Sequence, residues 1–194
     1  MTCCAVSVVK FETRESLKDM KYASFKQRLA AKLIDFVLLL PFWVLAQWLG
    51  GYSIPLAMIL ISLATLLTPV YDTFFLGRFS QTIGKRIMRI RAVRLHGTRI
   101  GWKEAFLRNL VDYGISIPQI IASIISLSAI SEASYYGATW SERSKALSAH
   151  NPSWLTPLAV LSIVWWASEL VVMLTNARRR GLQDFIAGTV IVSD

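Results

Sequence analysis

The chain has 194 residues, of which 54% are apolar or aromatic and only 17% charged, against about 25% charged in an ordinary soluble domain. Lysine and arginine number 21 against 12 acids, a formal net charge of +9. An apolar content this high excludes a disordered or nucleic-acid-wrapping chain, and one domain's length makes a small integral membrane protein the economical reading.

In chain order, the first nine residues hold a short apolar stretch followed by Lys10, Glu12, Arg14 and Glu15. A cleavable signal peptide has the opposite order, basic and then apolar, so the N-terminus is expected to be retained. Cys3 and Cys4 are neighbours, with no further Cys or His at metal-ligand spacing, and are expected to be free thiols. Residues 1–27 are read as an N-terminal cytoplasmic segment and 28–192 as a transmembrane domain.

Between Asp35 and Asp72 lie 36 uncharged residues, and between Lys145 and Glu169 another 23 if His150 is neutral. Such runs belong in a bilayer. Leu29–Leu49 would rise about 31 Å as a helix, matching the hydrocarbon core. Gly50-Gly51-Tyr52-Ser53 breaks this span, and Ile54 to about Leu76 returns. A third span is expected over 105–130, interrupted by Pro118, and a fourth over 154–174. The expectation is an all-α membrane protein with four spans in two hairpins.

Between the second and third spans, the segment 77–104 carries eight Lys and Arg. Ile83, Ile87 and Ile90 have helical spacing, while Met88 to Ala92 alternates as a half-buried strand would. We favour a short interfacial helix over Thr82–Ile87, then a strand turning at His96-Gly97, with Thr189–Val192 as its partner. The arginines here can serve as topology signals or meet anionic lipid headgroups. Basic residues also crowd 1–28 and the tail at Arg178, Arg179 and Arg180, whereas 131–153 holds only Arg143 and Lys145. Both termini are therefore expected in the cytoplasm, with Trp48, Tyr52, Trp140 and Trp154 near the outer interface and Trp102 near the inner one.

Four acids interrupt the apolar helices near their cytoplasmic ends: Asp35, Asp72, Asp112 and Glu169. An unpaired charge at the bilayer centre costs on the order of 3 kcal/mol, so these should face inward and be paired. Spacing suggests Lys32 with Asp35, Arg28 one turn below, and Arg108 with Asp112. Two readings follow. The charges stitch the bundle together, or they line a cytoplasm-facing polar cavity that binds a cation, a proton or a small polar ligand.

Enzyme chemistry finds little support. His96 and His150 fall on opposite sides of the membrane, which leaves no metal pair and no Ser-His-Asp arrangement. The string Thr82-Ile83-Gly84-Lys85 lacks the upstream glycine and the following Ser or Thr of a phosphate loop. No metal or other cofactor is expected.

Four pieces in order resemble one family: Arg28 to Asp35 at the mouth of the first span, Gln81-Thr82-Ile83-Gly84-Lys85-Arg86 after the second, Arg108-Asn109-Leu110 opening the third, and Gly181 to Val192 at the end. Over residues 22–192 the chain resembles the RDD family of membrane proteins. The resemblance carries the naming Arg and two Asp onto Arg28, Asp35 and Asp184. It implies transport of unidentified ligands, sodium/proton exchange as in some members, or an assembly role as in a eukaryotic branch. Gln183 stands where the family pattern has His, which removes one element of a His-assisted proton relay, and Lys32 adds a charge between Arg28 and Asp35. Gly188 and Thr189 are assigned to the backbone turn before the last strand.

The leading expectation is a non-enzymatic transporter in a bacterial inner membrane. Asp35 would accept the ion or proton, Arg28 and Asp184 would latch it, and Asp72, Asp112 and Glu169 would be secondary carboxylates. Four helices enclose little volume, so such a protein would assemble as a homo-oligomer. The alternative is a scaffold or assembly partner whose charges are structural.

Overall fold

The computed structural model describes residues 21–136, 138–176 and 179–193, so Cys3 and Cys4 lie outside the described residues. Four helices are long and apolar enough to cross a membrane: α1 (Phe25–Gly50), α2 (Ile54–Phe79), α5 (Leu110–Ala129) and α8 (Leu155–Thr175). Many of their Leu, Ile, Val, Phe and Trp side chains stand outward, with Phe36, Ile59, Ile163 and Trp166 all exposed. Water would penalise that arrangement and hydrocarbon accepts it. This chain is an integral membrane protein.

The sequence explains the helix limits. Ser24 and Gln27 form a capping box: Ser24 N donates to Gln27 Oε1 at 2.9 Å and Gln27 N to Ser24 Oγ at 3.3 Å, so α1 starts four residues before the expected Leu29. Pro41, Pro69 and Pro118 lie inside α1, α2 and α5, as membrane helices tolerate.

The expected third span is corrected. Residues 105–130 are not one helix, because α4 (Trp102–Arg108) ends at Asn109 before α5 begins. Asn109 donates its side-chain amide to the carbonyl of Ala105 at 3.0 Å and to Thr73 Oγ1 at 3.2 Å, and its backbone N–H folds back to Phe106 at 3.0 Å. A polar side chain that bonds its own backbone ends a helix this way.

Contacts divide the chain into two compact units. The first takes the chain up to Asp35, Tyr71–Asn109 and Ala167 onward, and thus holds one end of α1, α2 and α8. Its centre is a two-stranded antiparallel sheet of β1 (Ile90–Arg94) and β2 (Thr189–Ser193), in register from Ile90 opposite Ser193 to Arg94 opposite Thr189. The partner strand is the expected one. β1 starts at Ile90, two residues after Met88, because the helix α3 (Ile83–Ile87) runs on into a turn in which Arg89 has φ +53°. The turn at His96-Gly97 is also as expected, with Gly97 at φ +79° in the region glycine favours. Ala23, Ala31, Leu76, Ile90, Ala92, Ile100, Ala105 and Ile191 form the unit's apolar core. The last short helix, α9 (Leu182–Ile186), leads into β2.

The second unit takes Phe36–Val70 and Leu110–Trp166. Gly50 lies against Ala57, where an added Cβ would meet Ala57 at 3.3 Å, and this closes the first hairpin. The segment 131–153 forms α6 (Glu132–Tyr135) and α7 (Trp140–Ala149), the latter capped by Thr139 and Glu142. Buried Tyr135 donates its hydroxyl to the carbonyl of Gly50 at 2.8 Å, with the Arg143 guanidinium 5.5 Å above its ring. Asp112, in the first turn of α5, belongs to this unit.

Candidate functional site: the buried charges of the first unit

Arg28, Lys32 and Asp35 follow one another at helical spacing and share a face of α1. Each meets a different element of the first unit.

Arg28 meets the tail. Its guanidinium donates to Asp184 Oδ2 at 2.8 Å, and Arg108, at the end of α4, donates to Asp184 Oδ1. Arg108 thus turns to Asp184 rather than to the Asp112 expected from spacing. It also donates to Thr189 Oγ1 at 2.7 Å, so Thr189 does more than serve the turn. Asp184 is 1% exposed and accepts the backbone N–H of Gly181 at 3.1 Å. Burial opposes its charge, but Arg108 and Arg28 outweigh burial and hold the carboxyl at about 2. Arg180 closes the cluster by donating to the carbonyls of Thr189 at 3.0 Å and Asp184 at 2.9 Å, with its guanidinium 4.1 Å over the Phe185 ring. One carboxylate therefore serves two guanidiniums.

Lys32 reaches Glu169 at 3.6 Å, and Glu169 accepts the backbone N–H of Gln183 at 3.0 Å, which ties α8 to the start of α9.

Asp35 holds the turn of α3. Its carboxylate accepts the Thr82 hydroxyl at 2.5 Å, the Gly84 backbone N–H at 2.7 Å and the Tyr71 hydroxyl at 2.8 Å. Thr82 caps α3 by accepting from Lys85 N at 3.3 Å. Glycine is required at 84, since a Cβ there would lie 2.1 Å from the Ala31 carbonyl oxygen and 2.9 Å from the Asp35 carboxylate. The arrangement brings together Asp35, Thr82, Gly84 and Lys85 from the sequence candidates.

Lys85 itself is 7% exposed, and Asp72, in the last turns of α2, is half-buried. Burial pushes the Lys85 ammonium below its ordinary range, against the pull of the Asp72 and Asp35 carboxylates. Among the described residues neither the ammonium nor the Asp72 carboxylate has a hydrogen bond or ion pair. Because the unfolded chain binds the Lys85 proton more tightly than the folded one, this group makes stability rise with pH up to the ordinary lysine range. Lys85→Met is expected to raise the melting temperature in detergent at pH 7 and to flatten that rise; a lower melting temperature at every pH would contradict it.

A family model described as the RDD family matches residues 22–188. The chain belongs to the RDD family. A comparison with curated proteins finds no match. In this RDD protein the matched region starts at Tyr22, which bridges to Val192, and ends at Gly188, whose φ of +65° makes the turn into β2. The Arg and two Asp of the sequence resemblance do not form one cluster: Arg28 and Asp184 are in contact, while Asp35 binds the α3 turn. Sequence reasoning missed Tyr71 and Arg180 as members of these clusters. Tyr71 was legible as a polar ring beside Asp72 near one end of an apolar helix. Arg180, in a run of three arginines, had nothing to distinguish it from a topology signal. Among the described residues no group of three His, Cys, Asp or Glu could hold a metal ion.

Proposed function

We propose that this RDD protein moves a monovalent cation, a proton or a small polar ligand across a bacterial inner membrane, with both termini in the cytoplasm and no enzymatic step. The observation that carries this reading is the uncommitted pair Lys85 and Asp72. Arg28, Lys32, Asp35, Arg108, Glu169 and Asp184 all have partners within the fold. Opposite charges that sense each other without making contact are free to exchange a proton or admit an ion between them, and an ionisable group at this depth is costly unless used. Asp35 then positions Lys85 through the α3 turn, in place of the acceptor role expected from sequence. Glu169 is a supporting carboxylate, and the protein works as a homo-oligomer.

The saturation of Asp35 and Asp184 favours a second reading, a membrane scaffold or assembly partner in which charge serves folding alone. Proteoliposomes separate the two. With sodium, potassium or pH gradients imposed, the transport reading expects ion-dependent pH change that falls at least about tenfold in both Lys85→Gln and Asp72→Asn, since each removes one exchanging group and general acid–base groups contribute at least that much. Neither variant should melt below the wild type. A folded wild type that moves none of these ions favours the scaffold.

A further inference from the structure

The short helix α4 has two unlike faces. Ala105 and Arg108 are buried, while Trp102 and Phe106 are 54% and 47% exposed and Lys103 stands beside them in solvent. Its position is fixed against the end of α2. The Trp102 ring lies over Gly77, where an added Cβ would come within 2.6 Å of it, and 5.9 Å from the Phe74 ring. Arg78, next to Gly77, is also exposed. Two exposed aromatic rings and an exposed cation on α4 are thus packed, through Trp102, against the end of a membrane-spanning helix that carries a second exposed cation, Arg78.

The cations are uncompensated. Among the described residues neither Arg78 nor Lys103 has an acidic partner. The acid next to Lys103, Glu104, is engaged by Arg94 at 3.0 Å and by the Gly101 N–H at 2.8 Å, and the Arg94 hydrogen bond holds its carboxyl down at about 2. A topology signal needs only the count of cations. It does not need a tryptophan seated on a glycine with its ring turned outward. Aromatic rings with flanking cations at this depth are the pattern of a helix lying in the lipid interface.

We propose that Trp102, Phe106, Lys103 and Arg78 form a docking surface for the headgroup of an anionic phospholipid, with the rings entering the acyl boundary and the cations meeting the phosphate. An acidic protein partner would be served by the charges but not by exposed rings at the end of a span. This inference is independent of whether the chain transports an ion.

The test uses full-length protein, stripped of lipid in a neutral detergent and titrated with dioctanoyl phosphatidylglycerol, dioctanoyl phosphatidylcholine or inorganic phosphate, with the melting temperature as readout. Phosphatidylglycerol is expected to stabilise at concentrations where the other two do not. Arg78→Gln combined with Lys103→Gln should raise its half-saturating concentration about twenty-five-fold, at about fivefold per cation. Equal stabilisation by the zwitterionic lipid, equal stabilisation by phosphate alone, or an unchanged response in the double variant would overturn the proposal. If the double variant does not fold, Lys103→Gln alone, at an exposed position, is read in the same way against an expected fivefold change.

Discussion

Asp184→Asn is expected to lower stability by about 3 to 5 kcal/mol, because it leaves two buried guanidiniums, Arg28 and Arg108, without a counter-charge. For a chain of this size that is a fall on the order of 10 °C in melting temperature in detergent. Arg28→Ala made in the same background should cost much less than it does alone, since the residues belong to one network. Additive losses would mean that α1 and the tail do not share the carboxylate. The pH dependence has a definite sign. The folded carboxyl sits near 2 against an ordinary 3.8, so its contribution is fully present above about 4 and is lost as pH falls toward 2. In Asp184→Asn this acid-side loss should disappear.

Gly84→Ala is the second large effect. The added methyl would meet the Ala31 carbonyl oxygen at 2.1 Å, and that oxygen belongs to the rigid backbone of α1. The α3 turn must therefore move off Asp35, losing the Gly84 N–H and Thr82 hydroxyl bonds to a charged acceptor, at a cost of about 3 kcal/mol or more. A cysteine placed at Ile83 should become accessible to a thiol reagent in the variant and stay slow in the parent. Gly114→Ala is the matched control, because a Cβ there meets nothing within 4 Å, and helix propensity alone should make it neutral or stabilising. Equal losses at both positions would remove the steric argument.

The four spans were legible because hydrocarbon selects on length and apolarity, which a sequence displays directly. The pairing of the tail strand with the segment after α3 was legible from the alternation of Met88 to Ala92 and the β-branched run Thr189–Val192. What local spacing could not show was the destination of each charge. Arg108 has Asp112 one turn away in sequence, yet its hydrogen bonds go to Asp184 and Thr189, because Asn109 breaks the helix between them. Lys32 has Asp35 one turn away, yet it reaches Glu169 from α8. Asp35 is instead claimed by neutral donors from the α3 turn, and two of its three partners, Thr82 and Gly84, belong to the motif that stood out in the sequence. Helical spacing proposes partners, and tertiary contacts decide among them.

The tail's place in the first unit has a consequence for how the protein is made. Arg28 and Arg108 are synthesised 156 and 76 residues before the aspartate that neutralises them. At about 5 to 20 residues per second, Arg108 waits roughly 4 to 15 s and Arg28 about twice as long. During that interval β1 lacks the strand it pairs with, and two guanidiniums destined for burial lack their counter-charge. The nascent chain thus completes its spans before the carboxylate that neutralises Arg28 and Arg108 is made. A ribosome that stops before Asp184 releases a protein whose four long apolar helices are made but whose Arg28 and Arg108 have no carboxylate to close on.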